Sequence, residues 1–316
     1  MTRPNSAIVR ADLTAYAFGL TQDIVAVRRI IDLLAPTVPT GGTSGLYNIF
    51  EDTQAFKAYA ASVSRRAVGA QASAIEFLGS TANYNAAPSG LRISIDDFER
   101  AQAGGNTALL EQAKTRTLTV NCLVSHLSQV LSVIKAAVAA TAGLGKWNEA
   151  NVDPIAELNA LIKAVWKSSG IVPNTIAMDF GAWCVLASNP KILARMPGAD
   201  IAAVTPDRLK AMFVNPNIKI EIVETSVLAG GGLGNAGATI QGALGGSVLA
   251  FFNSPTATVY DPSFAKCFAP SASLFTEVYG YRQEPHLDWL ENDWTSDVQV
   301  VSSKLCKRLD VVGAND

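Results

Sequence analysis

The stretch TALLEQAKTRTLTVNCLVSHLSQVLSVIKAAVAATA, residues 107–142, decides the fold, because it contains neither proline nor glycine. Asn106 or Thr107 can cap its start, and Gly143 and Gly145 follow its end, so it predicts one helix of ~50 Å at 1.5 Å per residue. Its apolar residues recur at alternating steps of four and three, which places them on one helical face: Val120, Val124, Leu127, Leu131, Ile134 and Val138.

The opposite side of this predicted helix is polar, because Ser125, Ser128, Ser132 and Lys135 interrupt the apolar residues. A membrane span needs about 20 consecutive apolar residues, and this segment does not supply them. We therefore expect a spine helix that packs one face against the rest of the chain, and no membrane contact.

The segment before the spine helix, residues 65–99, predicts an extended hairpin. Two β-prone pieces, SAIEFLGS (73–80) and LRISI (91–95), flank a tip of small and polar residues. A two-stranded excursion with so little apolar material is marginal by itself. We expect it to need a partner surface.

The N-terminal part, residues 1–45, is interpreted as an arm. Its segment QDIVAVRRIIDLL (22–34) has helical periodicity. The following APTVPTGGTSG (35–45) carries two prolines and three glycines and predicts irregular structure. The helix either docks on its own chain or reaches a neighbouring one, and composition leaves both open. Residues 46–62 predict a further short helix.

A compact α/β segment is predicted over residues 152–252. Asp153, Pro154 and Gly170 mark the start and end of one helix, and Thr205 caps another. The remaining predicted elements are a helix over 180–193 that breaks at Pro190, and strands over 172–179, 218–229 and 247–252.

Residues 256–316 alternate apolar and polar residues and predict strands. The clearest pieces are LFTEVYGYRQ (274–283), DVQVVSSKL (297–305) and KRLDVV (307–312). We expect these strands to form a sheet against the spine helix.

The glycine-rich stretch AGGGLGNAGATIQGALGG, residues 229–246, contains the spacing of a dinucleotide fingerprint in Gly232, Gly234 and Gly237. That fingerprint requires a helix after the glycines and an acidic residue about 20 positions on. Further glycines interrupt the segment where the helix should form, and the first acidic residue is Asp261. We therefore predict a surface loop between two strands.

A second stretch, GLGKWN (143–148), is also not a phosphate-binding loop. That motif has Ser or Thr after its lysine, whereas Trp147 follows Lys146.

The sequence contains no recognisable pattern of catalytic or metal-binding residues. The four cysteines form no CxxC pair, His126 and His286 are far apart, and we expect each cysteine to be a buried apolar side chain. In HLDWLENDW (286–294), three acids could bind a hard cation and two tryptophans a sugar, but a polar hairpin anchored by its tryptophans is favoured. We predict no catalytic, cofactor-binding or metal-binding residue.

Composition limits the function classes further. The 316 residues carry a formal net charge of −2, and 49% of them are apolar, which predicts a folded chain of one or two bodies. A protein that binds free nucleic acid usually has an excess of Lys and Arg over Asp and Glu, and this chain has no such excess. Charged residues interrupt the apolar residues at the N-terminus, namely Arg3, Arg10 and Asp12. No secretory signal peptide is therefore predicted.

The order of several stretches resembles a known family. These are NYNAAPSGLRISIDDFERA (83–101), KWNEANVDPIAELNALI (146–162), SGIVPNTIAMDFGAWCVLASNPKI (169–192), TPDRLKAMFVNPNIKIEIVE (205–224) and DPSFAKCF (261–268). Over residues 46–316 the chain resembles the major capsid proteins of tailed bacteriophages, which have the Hong Kong ninety-seven-like fold.

The resemblance implies an α+β fold with five parts. They are an N-terminal arm (1–45), a short helix region (46–62), an extended loop (63–100), a peripheral domain with the spine helix (101–148 and 253–316) and an inserted α/β axial domain (149–252).

The resemblance also implies a function. The chain is expected to be no enzyme but a structural protein of the virion, assembling in the host cytoplasm into hexamers and pentamers of an icosahedral head. The head encloses double-stranded DNA without sequence-specific binding. Portal and decoration proteins are the further partners implied, with a separate scaffolding protein or none, since about 45 residues precede the body.

The extended loop is then expected to lie on an adjacent subunit. Its candidate contact residues are Arg65, Arg66, Glu76 and Tyr84, because they sit on the predicted hairpin. No lysine lies between Arg65 and Arg92, so no covalent cross-link through a lysine of this loop is predicted.

Two alternatives stay open at this stage. The same fold forms the shell of bacterial encapsulin-type nanocompartments, which enclose cargo enzymes instead of a genome. A nucleotide-binding enzyme that uses the glycine loop is the second alternative.

Overall fold

The computed structural model describes residues 7–49 except 24, then 65–72, 80–195, 204–229 and 239–312, the last range without 255, 257, 272, 273 and 276. The longest element is the spine helix, which begins at Thr107 and ends at Ala137. The helices in chain order are α1 (Ala11–Asp23), α2 (Val25–Leu34), α3 (Asp97–Ala103), α4, which is the spine helix (Thr107–Ala137), α5 (Pro154–Ser169), α6 (Phe180–Ala187), α7 (Pro190–Arg195) and α8 (Pro206–Lys210).

The strands form two large sheets and two separate ribbons. In chain order they are β1 (Ile8–Val9), β2 (Thr37–Pro39), β3 (Ser44–Ile49), β4 (Ser80–Asn85), β5 (Ala87–Asp96), β6 (Ala140–Lys146), β7 (Thr175–Asp179), β8 (Lys219–Val223), β9 (Ser226–Ala229), β10 (Thr239–Gly242), β11 (Ser247–Phe251), β12 (Ala265–Ala269), β13 (Val278–Glu284), β14 (Leu287–Val300) and β15 (Cys306–Val312).

The peripheral sheet packs against the spine helix, as predicted. Its strand order is β1-β13-β14-β12-β2, and β5 pairs with residues 287–296 of β14. Leu127, Leu131 and Ile134 of the spine helix are buried in the main core, whereas Val120 and Val124 are only half-buried. In the second half of the helix, the buried face is therefore the predicted one. In the first half, the buried face is rotated about the helix axis relative to the prediction.

The spine helix ends five residues before the predicted boundary. Val138 is already extended, and β6 follows as a strand parallel to β15. The cause is not local, because residues 138–142 are acceptable in a helix. The edge of β15 offers unpaired backbone groups, and pairing with β6 satisfies them. Gly143 permits the close approach, since a Cβ there would lie 3.1 Å from the carbonyl oxygen of Asp310.

The axial sheet has the order β6-β15-β11-β7-β8. Its helix α5 begins and ends where the sequence predicts, and α8 begins where predicted, because caps are local. Asp153 accepts hydrogen bonds from the amides at the start of α5, Gly170 ends that helix at φ 75°, and Thr205 caps α8. The break at Pro190 is confirmed. The predicted strand over 218–229 forms two strands, β8 and β9.

One predicted strand belongs to a different sheet from the expected one. KRLDVV, which forms most of β15, was expected in the sheet against the spine helix, and it lies in the axial sheet. The alternation in KRLDVV shows that one face is buried but does not identify the neighbouring strand. β15 fills the position between β6 and β11, so the axial sheet is completed by residues far apart in sequence.

The N-terminal helices dock on their own chain. Leu13 and Ala17 of α1, and Ile30, Ile31 and Leu34 of α2, belong to the main core. The following segment 35–45 is irregular only in part, which corrects the prediction, because residues 37–39 and 44–45 lie in strands. Thr37–Pro39 pairs in parallel with Cys267–Ala269 at the sheet edge, where proline needs no donor.

The predicted hairpin is paired differently. LRISI lies in β5 and pairs with β14, and residues 73–79 lie outside the described residues. The predicted helix over 46–62 is wrong for residues 46–49, which form β3 and pair with β4. Its remainder also lies outside the described residues. Cross-strand pairing, invisible in a local window, explains both differences.

The spine helix is long and apolar enough, by length and composition, to cross a membrane. Half of its most apolar window is buried inside the chain, as expected for a core helix.

Candidate inter-subunit surfaces

The first candidate surface is the ribbon formed by β3 and β4, which we call the first ribbon. Its two strands pair antiparallel from Ser44 opposite Asn85 to Ile49 opposite Ser80. Tyr47 and Tyr84 are buried on the side facing the body, and their rings lie 5.0 and 4.8 Å from the ring of Phe268. This aromatic cluster fixes the base of the ribbon to the peripheral sheet.

Two further features hold that base in place. The backbone N–H of Asn85 donates to the carboxylate of Asp297 at 2.8 Å. Gly45 lies under the ring of Tyr84, and a Cβ at this glycine would be 2.6 Å from the phenol oxygen. On the opposite side of the ribbon Leu46 is 62% exposed. The ribbon is thus anchored on one face and presents an apolar side chain on the other.

The four predicted contact residues have different positions. Arg65 and Arg66 are exposed, and Arg66 donates to the carbonyl of Ala70 at 3.0 Å. Glu76 lies outside the described residues. Tyr84 is only 6% exposed, so its ring is an internal contact and not an accessible one, contrary to our expectation. The hydrogen-bonded partner strand that turns Tyr84 inward was not recognised in the sequence.

The second candidate surface is the ribbon of β9 and β10, which occupies part of the glycine-rich stretch. Ile240 on β10 is 76% exposed. Gly242 ends the ribbon against Asp179, whose carboxylate would be 2.4 Å from a Cβ at that glycine. Asp179 accepts from the amides of Leu244 and Gly181 and so connects the ribbon to the start of α6.

This geometry bears on the dinucleotide alternative. Residues 230–238 lie outside the described residues, but Thr239–Gly242 after them is a strand. A pyrophosphate site of the fingerprint type needs a helix N-terminus at that position. The prediction that no such helix follows the glycines is confirmed for the described part of the stretch.

A groove of about 660 Å³ lies between α5 and the edge of the axial sheet. Its apolar wall is formed by Ala156, Ala160, Ala164, Leu161 and Leu309. Its carboxylates are engaged in structural contacts: Asp153 pairs with Arg195 at 2.5 Å, and Glu157 accepts from the Trp147 indole at 3.1 Å. The groove presents apolar surface in place of a set of free acid and base groups.

The HLDWLENDW segment comprises the end of the β13–β14 turn and the first part of β14, so it lies in a hairpin as the favoured interpretation predicted. Asp288 pairs with Arg100 at 3.0 Å and with Arg282 at 2.9 Å. Trp294 is buried in the core, while Arg92 lies 4.1 Å above the ring of Trp289. Within the described ranges, no three His, Cys, Asp or Glu side chains are grouped to hold a metal ion.

The cysteines and histidines are mostly structural. Cys122, Cys267 and Cys306 are buried, and burial raises the pKa of the first two thiols to about 12. Cys184 is exposed, which corrects the prediction, because it lies on the outer side of a short surface helix. His126 is buried beside Cys267, with Nε2 at 3.8 Å from Sγ, and burial lowers its pKa to about 4.

Sequence reasoning missed the exposed apolar residues of the two ribbons. Leu46 could have been found from the alternation in GLYNI, where Tyr47 faces inward and Leu46 outward. Ile240 was hidden by the glycines around it, which we interpreted as a loop. Tyr260, which is also exposed, has no local signal at all.

Comparison with known proteins identifies the fold. No family model matches the chain, and no curated protein matches its sequence. A phage-related protein from Bordetella bronchiseptica RB50 has a TM-score of 0.71 at 17% identity, and the match covers 98% of this chain and 99% of that one. A virus-like particle from Pyrococcus furiosus has a TM-score of 0.53 at 11% identity over 94% and 97% of the two chains.

The mature capsid of bacteriophage PhiM1 has a TM-score of 0.50 at 10% identity, with 87% of this chain and 84% of that one covered. The chain therefore has the α+β fold of phage capsid proteins, and the predicted fold class is confirmed.

Proposed function

We propose that this chain is a structural major capsid protein of a tailed phage. It assembles into hexamers and pentamers that form an icosahedral head around double-stranded DNA. The observation that carries the proposal is the fold, which the chain shares along nearly its whole length with a phage-related protein and over most of it with a phage capsid.

The two ribbons support assembly through many small contacts. An isolated two-stranded ribbon is marginal in water and gains stability when another surface covers it. The first ribbon presents Leu46 and the second presents Ile240, both to solvent. A neighbouring subunit would bury these side chains. Weak contacts repeated around a closed shell reinforce each other, so no single one needs to be strong.

Charge is compatible with a container for DNA. The chain has a net charge of −2, and tight nucleic-acid binding requires clusters of Lys and Arg that neutralise phosphates. We infer that the DNA is enclosed without sequence-specific binding. Portal and decoration proteins, with a separate scaffolding protein or none, complete the particle, which is assembled in the host cytoplasm. The chain itself has no catalytic role in this proposal.

The deciding experiment is negative-stain electron microscopy of the protein expressed alone, run beside analytical sedimentation. Closed shells, tubes or ring-shaped capsomers are expected. A monodisperse monomer or dimer across salt and protein concentration would contradict the proposal. The role of the first ribbon is tested with Leu46→Asp, which places a charge on its outer face. Leu46→Met is the matched control, and only the Asp variant is expected to lose assembly.

A nanocompartment shell is the second candidate, since the fold alone does not determine whether a shell encloses a genome or cargo enzymes. Particles purified from the native source separate the two. DNA inside supports the phage head, and enclosed protein without nucleic acid supports the compartment. Binding of a dinucleotide by the dissociated subunit, measured by calorimetry, would instead support an enzyme.

A further inference from the structure

The loop between β11 and β12 is built around a buried lysine. Lys266, on β12, is 0% exposed. Its ammonium donates to the backbone carbonyls of Thr258 at 2.6 Å and Asp261 at 2.7 Å. It also lies 3.3 Å from a carboxylate oxygen of Asp261. The loop therefore wraps around a positive charge that has no contact with water.

The carboxylate of Asp261 closes this arrangement. It accepts hydrogen bonds from the backbone N–H and the hydroxyl of Thr258, the latter at 2.7 Å. It also accepts from the hydroxyl of Ser263 at 2.8 Å, and that hydroxyl accepts from the amide of Ser254 at 3.0 Å. Thr258 and Ser263 are thus both tied to one carboxylate, which fixes the backbone on either side of Tyr260.

The fixed loop presents one large side chain. Val259 packs against the aromatic cluster that anchors the first ribbon. Its neighbour Tyr260 is 75% exposed. Because Asp261 and Lys266 neutralise each other, the loop offers an aromatic ring without net charge. Nucleic acid is recognised by positive charge, so this surface does not fit it. Interface cores between proteins are depleted of charge and enriched in tyrosine, so a protein partner fits.

The fixed backbone around Tyr260 also favours binding. A loop that is already ordered loses little conformational entropy when it binds, so a preformed aromatic residue contributes more to affinity than a mobile one. Rings of five or six identical subunits require head-to-tail contacts, in which one surface meets a different surface of the next copy. The protruding, uncharged Tyr260 beside the base of the first ribbon supplies one of the two surfaces that such a contact needs.

We propose that Tyr260 anchors a contact with a second copy of this chain, and that Lys266 is the positioning residue that holds the Tyr260 loop in its binding shape. The inference rests on the proposed self-assembly and deepens it by naming one contact.

The test measures the critical concentration for assembly by light scattering and sedimentation. Tyr260→Ser is expected to raise it about tenfold or more, as for truncation of an interface anchor. Tyr260→Phe, which keeps the ring, is the matched control and should stay close to the natural protein. Thermal unfolding of the dissociated subunits must match between the two variants, since Tyr260 is exposed.

The outcomes distinguish failure of self-assembly from failure of the Tyr260 contact. If the natural protein does not assemble, the proposed function fails and this inference with it. If the natural protein assembles and Tyr260→Ser assembles at the same concentration, only this inference is overturned.

The role of Lys266 is tested by a double-mutant cycle, because Lys266→Met alone could act through stability. If Lys266 works by positioning Tyr260, its replacement raises the critical concentration in the natural background but adds little once Tyr260 is Ser. An equal effect in both backgrounds overturns the positioning role and leaves Lys266 as a purely structural residue.

Discussion

Acid should destabilise the subunit through one buried histidine. His126 lies on the buried face of the spine helix, edge-on to Phe275 and Trp294, with ring centroids at 5.5 and 6.4 Å. Burial lowers the pKa of His126 from 6.5 to about 4. The unfolded chain therefore binds a proton at a pH where the folded chain does not. Stability is unaffected above pH 6.5 and falls as the pH drops from 6.5 towards 4.

The size of the effect follows from the two pKa values. A shift of about 2.5 units corresponds to about 3 kcal/mol at full separation, and about 2.5 kcal/mol is expressed at pH 4.5. The carboxyl groups of Asp12, Glu99, Asp153 and Asp261 have a lowered pKa and contribute mainly at more acidic pH. Between pH 6.5 and 4.5, we expect His126 to be the main source of lost stability among the described residues, because the raised pKa of the Asp32 carboxyl changes stability in the opposite direction.

The assay is urea unfolding of the dissociated subunit at pH 7.5, 5.5 and 4.5. His126→Leu should remove most of the loss seen in the natural protein over this range, whatever its stability at pH 7.5. His286→Ala is the control, because His286 is exposed at the β13–β14 turn. Its slope should equal that of the natural protein. An unchanged slope in His126→Leu would show that the acid sensitivity arises elsewhere.

Three further predictions concern packing, capping and covalent chemistry. Gly242→Ala should lower the urea midpoint, because the new Cβ would lie 2.4 Å from the carboxylate of Asp179, and Asp179→Ala in the same chain should relieve part of that loss. Asp153→Ala removes the cap of α5 and the ion pair with Arg195, so a loss of about 1 kcal/mol is expected by urea unfolding, with Asp207→Ala as an exposed control. On a denaturing, reducing gel, assembled particles should run as a single monomer band, and a ladder of covalent oligomers would contradict the absence of a lysine cross-link.

The parts of the fold that could be predicted are those determined by residues close together in the sequence. Asp153 and Gly170 delimit one helix through hydrogen bonds and a left-handed turn within a few positions of each other. Pro190 breaks a helix because it lacks a donor. These signals work in any window of the sequence, and each of them is confirmed.

The parts that could not be predicted depend on distant partners. Residues 46–49 form a strand only because Ser80–Asn85 lies beside them, and residues 140–146 only because of Cys306–Val312. Tyr84 was expected on the surface, but its ring is buried against Phe268, which lies 184 positions later in the sequence. The contacts of Lys266 could not be predicted either. Its ammonium donates mainly to backbone carbonyls, which every residue type has.

The position of β15 has a consequence for biosynthesis. This strand lies between β6 and β11 and pairs with both, so neither neighbour reaches its full set of backbone hydrogen bonds until residues 306–312 have been made. A nascent chain that has already exposed β6, α5 and β7 outside the ribosome still lacks a central member of the axial sheet. Pairing over such sequence distance is also slow, because long loops must close first. Completion of this sheet therefore waits until residues 306–312 have left the ribosome, however early β6, α5 and β7 emerge.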